Sequence, residues 1–387
     1  AQIDHYISTT AKDAELVVIR LLGSRGHWSY GLEKFQTWCQ LQPDRKLIVL
    51  SGTRENEFEL HSIGNVNNKT TIFLSELLQV GGLENMSKFL KLIKCVLEDS
   101  KIDYQEYSPQ VIDDPHKWDW KLEEGSKVGV IFYRALLQAG DVDVAKEVNR
   151  QLRKQGLVPR TIWLSSLRSQ NVQNKVLELF KDEGVKGVIT STSFSSVKIN
   201  QSPSSFTLWD KIDVPIFQLL TSSKTREQWI KNSIGLSPLD LSMQIALPEL
   251  EGRITTRPCA FKEKSRLNQD LATVVQRLEP DSEGIKWVAK HLKNWIKLQI
   301  INPKDKKICL ILANYPVKNG RIANGVGLDT PASIVEMLNW LSESGHYLGR
   351  SNYPSNAEEL IKNLLSTRTN DPESSHKKPL DYLPLND

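Results

Sequence analysis

The sequence predicts an α/β protein of several domains, in which doubly wound parallel sheets are flanked by helices. Short apolar runs, such as 127–133 and 158–165, alternate with helical patterns, such as 142–155 and 170–182. This alternation is typical of parallel strands joined by crossover helices. The length of 387 residues is enough for two or three domains that each bury a core.

The first domain is predicted to cover residues 1–122. Its predicted elements are a strand at 17–22, a helix at 32–39, a strand at 47–50, and helices at 71–78 and 83–97. The segment 100–124 contains two prolines and two tryptophans and is predicted to be an irregular junction.

The second domain is predicted to cover 123–234 and has the clearest doubly wound pattern. Its predicted strands lie at 127–133, 158–165, 185–190 and 214–220, and its predicted helices at 142–155, 170–182 and 224–232. The third domain is predicted to cover 235–387. Its predicted elements are helices at 237–247, 282–299 and 331–344 and a strand at 308–313.

Composition excludes several classes of protein. A net charge of +4 is small for this length and gives no case for nucleic-acid binding. No apolar run approaches the roughly 18–20 residues that a membrane span needs. The four cysteines form no C-x-x-C pair, and we expect them to be reduced core residues of a cytoplasmic protein.

Polar residues follow the strands of the second domain where each strand ends. These residues are Arg134, Ser165-Ser166, Thr190-Ser191-Thr192 and Thr221-Ser222. Because ligands of open parallel sheets gather outside the carboxyl ends of the strands, we expect one guanidinium and three hydroxyl clusters to meet on one rim. Each Ser or Thr has an equally good local explanation as a helix cap.

The loop between the predicted strand at 308–313 and the helix at 331–344 is rich in Asn and Gly. Its candidate binding residues are Asn314, Asn319, Arg321, Asn324 and Asp329. Thr330 is placed to cap the helix, and Pro331 suits its first position. The composition indicates either a backbone shaped around carboxylates and amides or simply a set of turns, because Asn and Gly tolerate positive φ.

Candidates for catalysis and metal binding are missing from the sequence pattern. The seven histidines form no H-x-x-x-H or H-x-x-E-H pair, and no G-x-S-x-G or G-x-x-x-x-G-K-[ST] segment occurs. We therefore predict no metal site and leave the catalytic residues unassigned.

The segment NYPVKNGRIANGVGLDTPAS (314–333) resembles the signature of the large subunit of aerobic cobaltochelatase, the CobN-type relative of the magnesium chelatase H subunit. Further resemblance lies in GHWSYGLE (26–33), VGVIFYRALLQAGD (128–141) and GLSPLDLSMQIALPELEGRI (235–254). Ala323 stands where the family is expected to have Gly.

The resemblance implies a macrocycle-binding subunit of an ATP-dependent chelatase, which inserts Co2+ into hydrogenobyrinic acid a,c-diamide during cobalamin biosynthesis. It implies that AAA+ ATPase and adaptor subunits are partners and that they use the ATP. It also implies that this chain is an N-terminal portion, with a truncated first domain and no activity alone. In this interpretation Arg321 pairs with a substrate carboxylate, and the loop asparagines bind peripheral amides.

Two alternatives stay open at the level of the sequence. The chain is either a substrate-binding part of the chelatase or a non-catalytic docking module whose metal-insertion centre lies beyond Asp387. The same signature is also compatible with an H-type subunit that acts on protoporphyrin IX with Mg2+.

Overall fold

The protein was analysed as a computed structural model, which describes residues 2–52, 57–193, 207–268, 273–313, 319–348 and 353–382. It confirms the predicted α/β class, with parallel strands and crossover helices. The chain forms two compact units, Ala1–Lys293 and Asn294–Asp387.

The first unit begins with a small two-stranded parallel sheet that has helices on both faces. Its elements are α1 (Gln2–Thr9), β1 (Leu16–Leu21), α2 (Ser29–Gln40), β2 (Lys46–Ser51), α3 (Glu57–His61), α4 (Asn68–Val80) and α5 (Leu83–Leu97). Successive residues of β2 point to opposite faces. Leu47 and Val49 pack with Phe35 of α2, whereas Ile48 and Leu50 pack in the cluster of α4 and α5. The sequence of β2 is therefore apolar throughout.

Within the described residues, a second sheet has seven strands in the order β3-β5-β4-β6-β7-β8-β9. Its strands are β3 (His116–Trp118), β4 (Ser126–Tyr133), β5 (Leu157–Leu164), β6 (Val188–Thr190), β7 (Ile216–Ser222), β8 (Ile254–Asn268) and β9 (Thr273–Pro280). Strands β5, β4, β6, β7 and β8 are parallel, and β3 and β9 run antiparallel at the two edges.

Helices connect and cover these strands. They are α6 (Arg134–Gln138), α7 (Asp143–Lys154), α8 (Gln170–Glu183), α9 (Leu208–Ile212), α10 (Arg226–Lys231), α11 (Pro238–Leu241) and α12 (Leu247–Leu250). One π-helical turn, Ser242–Ala246, joins α11 to α12. Val176 and Phe180 of α8 pack with Ile212 of α9 and Ile131 of β4, and this cluster forms the core on one face of the sheet.

The hairpin of β8 and β9 was missed from the sequence. Its strand β8 pairs in parallel with β7, so the predicted boundary at 234/235 falls between two neighbouring strands of one sheet. The three-domain division stays a prediction, while the contacts of the structure group the chain into the two units given above.

The second unit contains the whole signature segment, 314–333. The helix α13 (Ser282–Ile300) leads into it, and α14 (Thr330–Glu343) and α15 (Ala357–Leu365) pack through Ile334, Val335 and Leu360. The predicted strand at 308–313 is wrong, because this segment forms neither helix nor strand in the structure. Most of its apolar side chains are exposed instead, with Ile311 89% exposed, while Leu312 is partly buried against the core of α14 and α15.

Candidate functional site

The described part of the signature loop, residues 319–329, is a series of tight turns in the second unit. A 3₁₀ turn at Asn319–Arg321 is followed by an isolated antiparallel bridge between Gly325 and Leu328. Ala323 is buried with φ +59°, a left-handed conformation that favours Gly. Gly at this position, which we expected from the resemblance, would remove the strain that the Ala methyl group introduces.

Two of the predicted binding residues in this loop, Asn319 and Asp329, make hydrogen bonds within the protein. The backbone N–H of Asn319 donates to Asp371 Oδ2 at 2.7 Å, and the Thr369 hydroxyl donates to Asn319 Oδ1 at 2.7 Å. Asp329 is the N-cap of α14 and accepts from the N–H of Ala332 at 3.1 Å. The prediction that Thr330 caps this helix is therefore wrong by one residue.

The other predicted loop residues are open to solvent or lie outside the described residues. Arg321 and Asn324 are exposed, so their side chains are available to a ligand. Asn314 falls within 314–318, outside the described residues. A binding role for these five loop residues stays a prediction.

A cavity of about 530 Å³ lies at the carboxyl edge of the seven-stranded sheet, and we call it the edge cavity. Strands β4 and β6 are neighbours in the sheet, but the connection from β4 leads to β5 on one side and the connection from β6 leads to β7 on the other side. Such a switch point in strand order is where open α/β sheets bind their ligands. The volume is in the range of small-molecule sites.

The hydroxyl clusters predicted for this rim are partly correct. Ser165, Ser166, Ser191 and Thr221 line the edge cavity, together with Phe132, Leu136 and Val144 as an apolar part of the wall. Thr190, Thr192 and Ser222 are buried in the structure. The Thr190 and Thr192 hydroxyls bond each other at 2.8 Å, and Ser222 accepts from the N–H of Lys224.

Arg134 is not among the described residues that line the edge cavity. The prediction that its guanidinium meets the hydroxyl clusters on one rim is therefore wrong. Its guanidinium donates to the carbonyl of Ile112 at 3.3 Å and lies 3.8 Å from Asp114. It lines a neighbouring groove with Ser75 and Gln79. A binding role for Arg134 in that groove stays a prediction.

Two charged residues line the edge cavity that sequence reasoning did not select. They are Asp141, after α6, and Arg168, after β5. Asp141 Oδ2 accepts from the N–H of Leu278 in β9 at 3.2 Å. Because β9 was missed, nothing in the sequence pattern indicated that Asp141 and Leu278 would meet.

A buried polar network fixes the end of β6 beside the edge cavity. Arg253 is 3% exposed and donates to the carbonyl of Thr192 at 2.6 Å and to Gln218 Oε1 at 3.0 Å. It also pairs with Glu251 at 2.6 Å, and Glu251 accepts from the indole of Trp209. Burial lowers the pKa of Arg253, and the charge of Glu251 opposes this shift.

Arg253 was not among the candidates selected from the sequence, although it is buried, whereas the nearby Arg257 is exposed. The available signal was the position of Arg253 inside the matching stretch ELEGRI.

The prediction that the cysteines are core residues is correct for Cys39 and Cys259, which are buried. Cys309 is exposed and is not the core residue that we expected. Burial raises the pKa of the Cys259 thiol.

Among the described residues there is neither a metal-binding cluster nor a membrane-spanning helix. In that part of the chain, His, Cys, Asp and Glu side chains nowhere gather in a group of three or more that would hold a metal ion. Each helix there is too short or too polar to cross a membrane.

The fold and the edge cavity define an α/β protein with a cavity at the switch point of its larger sheet. A family model described as CobN/Magnesium Chelatase matches residues 75–387. The chain belongs to this family.

Individual relatives agree with this assignment. Aerobic cobaltochelatase subunit CobN of Pseudomonas aeruginosa is 31% identical over 391 residues, which cover 98% of this chain and 31% of that protein. Magnesium-chelatase subunit ChlH of Oryza sativa is 22% identical over 319 residues, covering 74% of this chain and 22% of the relative. The chain thus spans about a third or less of these relatives.

A solved structure has the same fold. The catalytic subunit of cobaltochelatase from Mycobacterium tuberculosis superposes with a TM-score of 0.72, at 24% identity, and covers 94% of this chain and 30% of that one. This likeness supports the α/β architecture described above.

Proposed function

We propose that the chain is part of the macrocycle-binding large subunit of an ATP-dependent chelatase, which inserts Co2+ into hydrogenobyrinic acid a,c-diamide in cobalamin biosynthesis. The observation that carries the proposal is the family match over 75–387, which includes both the edge cavity and the signature loop. The 31% identity to a cobaltochelatase subunit, against 22% to a magnesium-chelatase subunit, favours cobalt.

Within that subunit, we assign macrocycle binding to this chain. The exposed guanidinium of Arg321 suits a substrate carboxylate, because it offers parallel N–H donors in a fixed fork. The exposed amide of Asn324 suits a peripheral amide or carboxylate. Metal insertion and ATP hydrolysis then depend on other parts of the subunit and on AAA+ and adaptor partners, in a cytoplasmic complex.

Binding is tested by titrating the chain with hydrogenobyrinic acid a,c-diamide and following the absorbance of the macrocycle. We expect saturable binding, and we expect Arg321→Gln to weaken it by about tenfold or more, as for the loss of a charge-assisted hydrogen bond. Arg20→Gln is the matched control, because Arg20 is exposed on β1 in the other unit. Unchanged spectra at micromolar concentrations would remove the assignment of macrocycle binding to this chain.

Metal choice is tested with a full-length subunit that contains this chain, partner subunits and ATP. We expect Co2+ to enter the corrinoid and Mg2+ not to enter protoporphyrin IX. Turnover with Mg2+ and protoporphyrin IX, and none with the corrinoid, would identify the chain as the magnesium type.

A further inference from the structure

Three of the hydroxyl groups that line the edge cavity have their hydrogens directed into the protein, whereas Ser166 Oγ accepts from the N–H of Arg168. Ser165 Oγ donates to Asp114 Oδ2 at 2.5 Å, and Thr221 Oγ1 donates to Gln244 Oε1 at 3.1 Å. Ser191 Oγ donates to the carbonyl of Ile131 at 3.3 Å. A hydroxyl has one hydrogen and two lone pairs, so these three oxygens offer a ligand acceptors and not donors.

Among the described lining residues of the edge cavity, one side chain is negatively charged and one is positively charged. Asp141 adds a carboxylate to the three acceptor hydroxyls, and Arg168 places a guanidinium at the exposed rim. The rest of the wall combines apolar side chains, such as Phe132 and Leu136, with the hydroxyl groups of Tyr133, Ser166 and Ser193. A complementary ligand therefore carries N–H donors, one acceptor for the guanidinium, no net charge and an aliphatic body.

We infer that the edge cavity binds a primary carboxamide carried on an aliphatic arm and discriminates against the corresponding carboxylate. The amide offers two N–H donors to the hydroxyl oxygens and Asp141, and its carbonyl accepts from Arg168. A carboxylate attracts Arg168, but it brings only acceptors to the hydroxyl oxygens and is repelled by Asp141. An ammonium group attracts Asp141, but it has no acceptor for Arg168 and is repelled by that guanidinium.

The volume of the edge cavity exceeds that of a single short amide arm, so the arm enters together with part of the molecule that bears it. That this molecule is the chelatase macrocycle rests on the proposed function. The preference for the amide does not, because it follows from the donors and acceptors of the cavity wall alone.

The test uses the full chain and three small probes of the same length, butyramide, butyrate and butylammonium. Ligand-observed saturation-transfer NMR should detect butyramide at millimolar concentration, with butyrate and butylammonium weaker by about tenfold. Equal or tighter binding of butyrate or butylammonium would overturn the inference, as would the absence of any butyramide signal.

Two variants locate the binding. Ala135→Trp places a large ring at the exposed rim of the edge cavity and should abolish the butyramide signal. Ala139→Trp is the matched control, because Ala139 follows the same helix α6, is also exposed and does not line the cavity. Loss of signal in both variants or in neither would place the amide elsewhere.

A third variant tests the discrimination itself. Asp141→Asn keeps an oxygen for the N–H of Leu278 and removes the negative charge. It should strengthen butyrate binding by about tenfold relative to butyramide, and an unchanged ratio would contradict the role given to Asp141. Binding of butyramide without binding of the macrocycle would leave this inference intact and remove the proposed function. Binding of the macrocycle without binding of butyramide would leave the proposed function intact and remove this inference.

Discussion

Arg253 determines the position of the strand end beside the edge cavity. Its buried guanidinium connects Glu251 to the carbonyl of Thr192, which is adjacent to the cavity-lining Ser191. A buried ion pair adds little net stability, because desolvation of both charges offsets their attraction. Breaking such a pair is costly, since the partner charge then stays buried without compensation.

We predict that Arg253→Met lowers the free energy of unfolding by about 3–5 kcal/mol, because Glu251 loses its counter-charge. Arg257→Met is the matched control and should change stability by less than about 0.5 kcal/mol, since Arg257 is exposed. Urea unfolding at neutral pH measures both values. Similar losses in the two variants would contradict the role of the Arg253 network.

Glu183 is predicted to make the stability of the protein depend on pH. Its hydrogen bonds from Arg160, at 2.6 Å, and Lys127 lower its pKa, and burial opposes this shift only in part. A lowered pKa in the folded state means that the stabilisation is complete above the unfolded value of about 4.3 and is lost as the pH falls through the folded pKa. Glu183→Gln should therefore be less stable than the parent by about 2 kcal/mol at pH 7.

The measurement compares urea midpoints of the parent and Glu183→Gln at several pH values from neutral to acid. The difference between the two proteins should shrink below about pH 4.3. A difference that stays constant across this range would mean that Glu183 does not contribute through its charge.

At the scale of elements, the segment 308–313 has the sequence of a buried strand, but in the structure it does not pair with another strand and is largely exposed. Residues on both of its faces are apolar, as in a strand covered on two sides. In the structure Ile308, Leu310 and Ile311 are 50%, 40% and 89% exposed. A strand forms only when a neighbour supplies hydrogen bonds, so apolar periodicity alone predicted an element that the second unit does not form.

We predict that Ile311→Lys changes the free energy of unfolding by less than about 0.5 kcal/mol and increases solubility, because it removes an exposed apolar side chain. Ile334→Lys is the matched core variant and should unfold the second unit, since Ile334 is 8% exposed in its small core. Thermal unfolding and solubility limits measure the two effects. Equal destabilisation by both would mean that Ile311 is packed.

At the scale of the whole molecule, the two units have very different cores. The larger unit contains clusters on both faces of its two-stranded sheet and an extended cluster on one face of its seven-stranded sheet. The described core of the smaller unit consists of Ile334, Val335 and Leu360 with three partly buried leucines. Because stability grows with buried apolar area, the smaller unit should open at a lower free energy.

We predict that amide hydrogens of α14 and α15 exchange faster than those of β4 and β5 in the native chain. Hydrogen exchange followed by mass spectrometry on peptides of each element measures this order. The gap should narrow when urea approaches the global midpoint. Equal protection in all four elements would show that the units unfold together.

Prediction from the sequence was accurate where local pattern decides structure. The strands at 127–133 and 158–165 and the helix at 170–182 lie within one or two residues of β4, β5 and α8. Prediction failed for β8 and β9, where charged and polar residues interrupt the apolar pattern. These strands are held by pairing with each other and with β7, which a local pattern does not reveal.

The sequence by itself determined the α/β class, the family and the four strand ends from which polar groups reach the edge of the sheet. Only the tertiary structure decided which of these groups share a cavity. Arg134 is drawn to Asp114, twenty residues earlier, whereas Asp141 and Arg168 enter the lining. The physical reason is that a side chain points toward its hydrogen-bond and charge partners, and these partners come from distant parts of the chain.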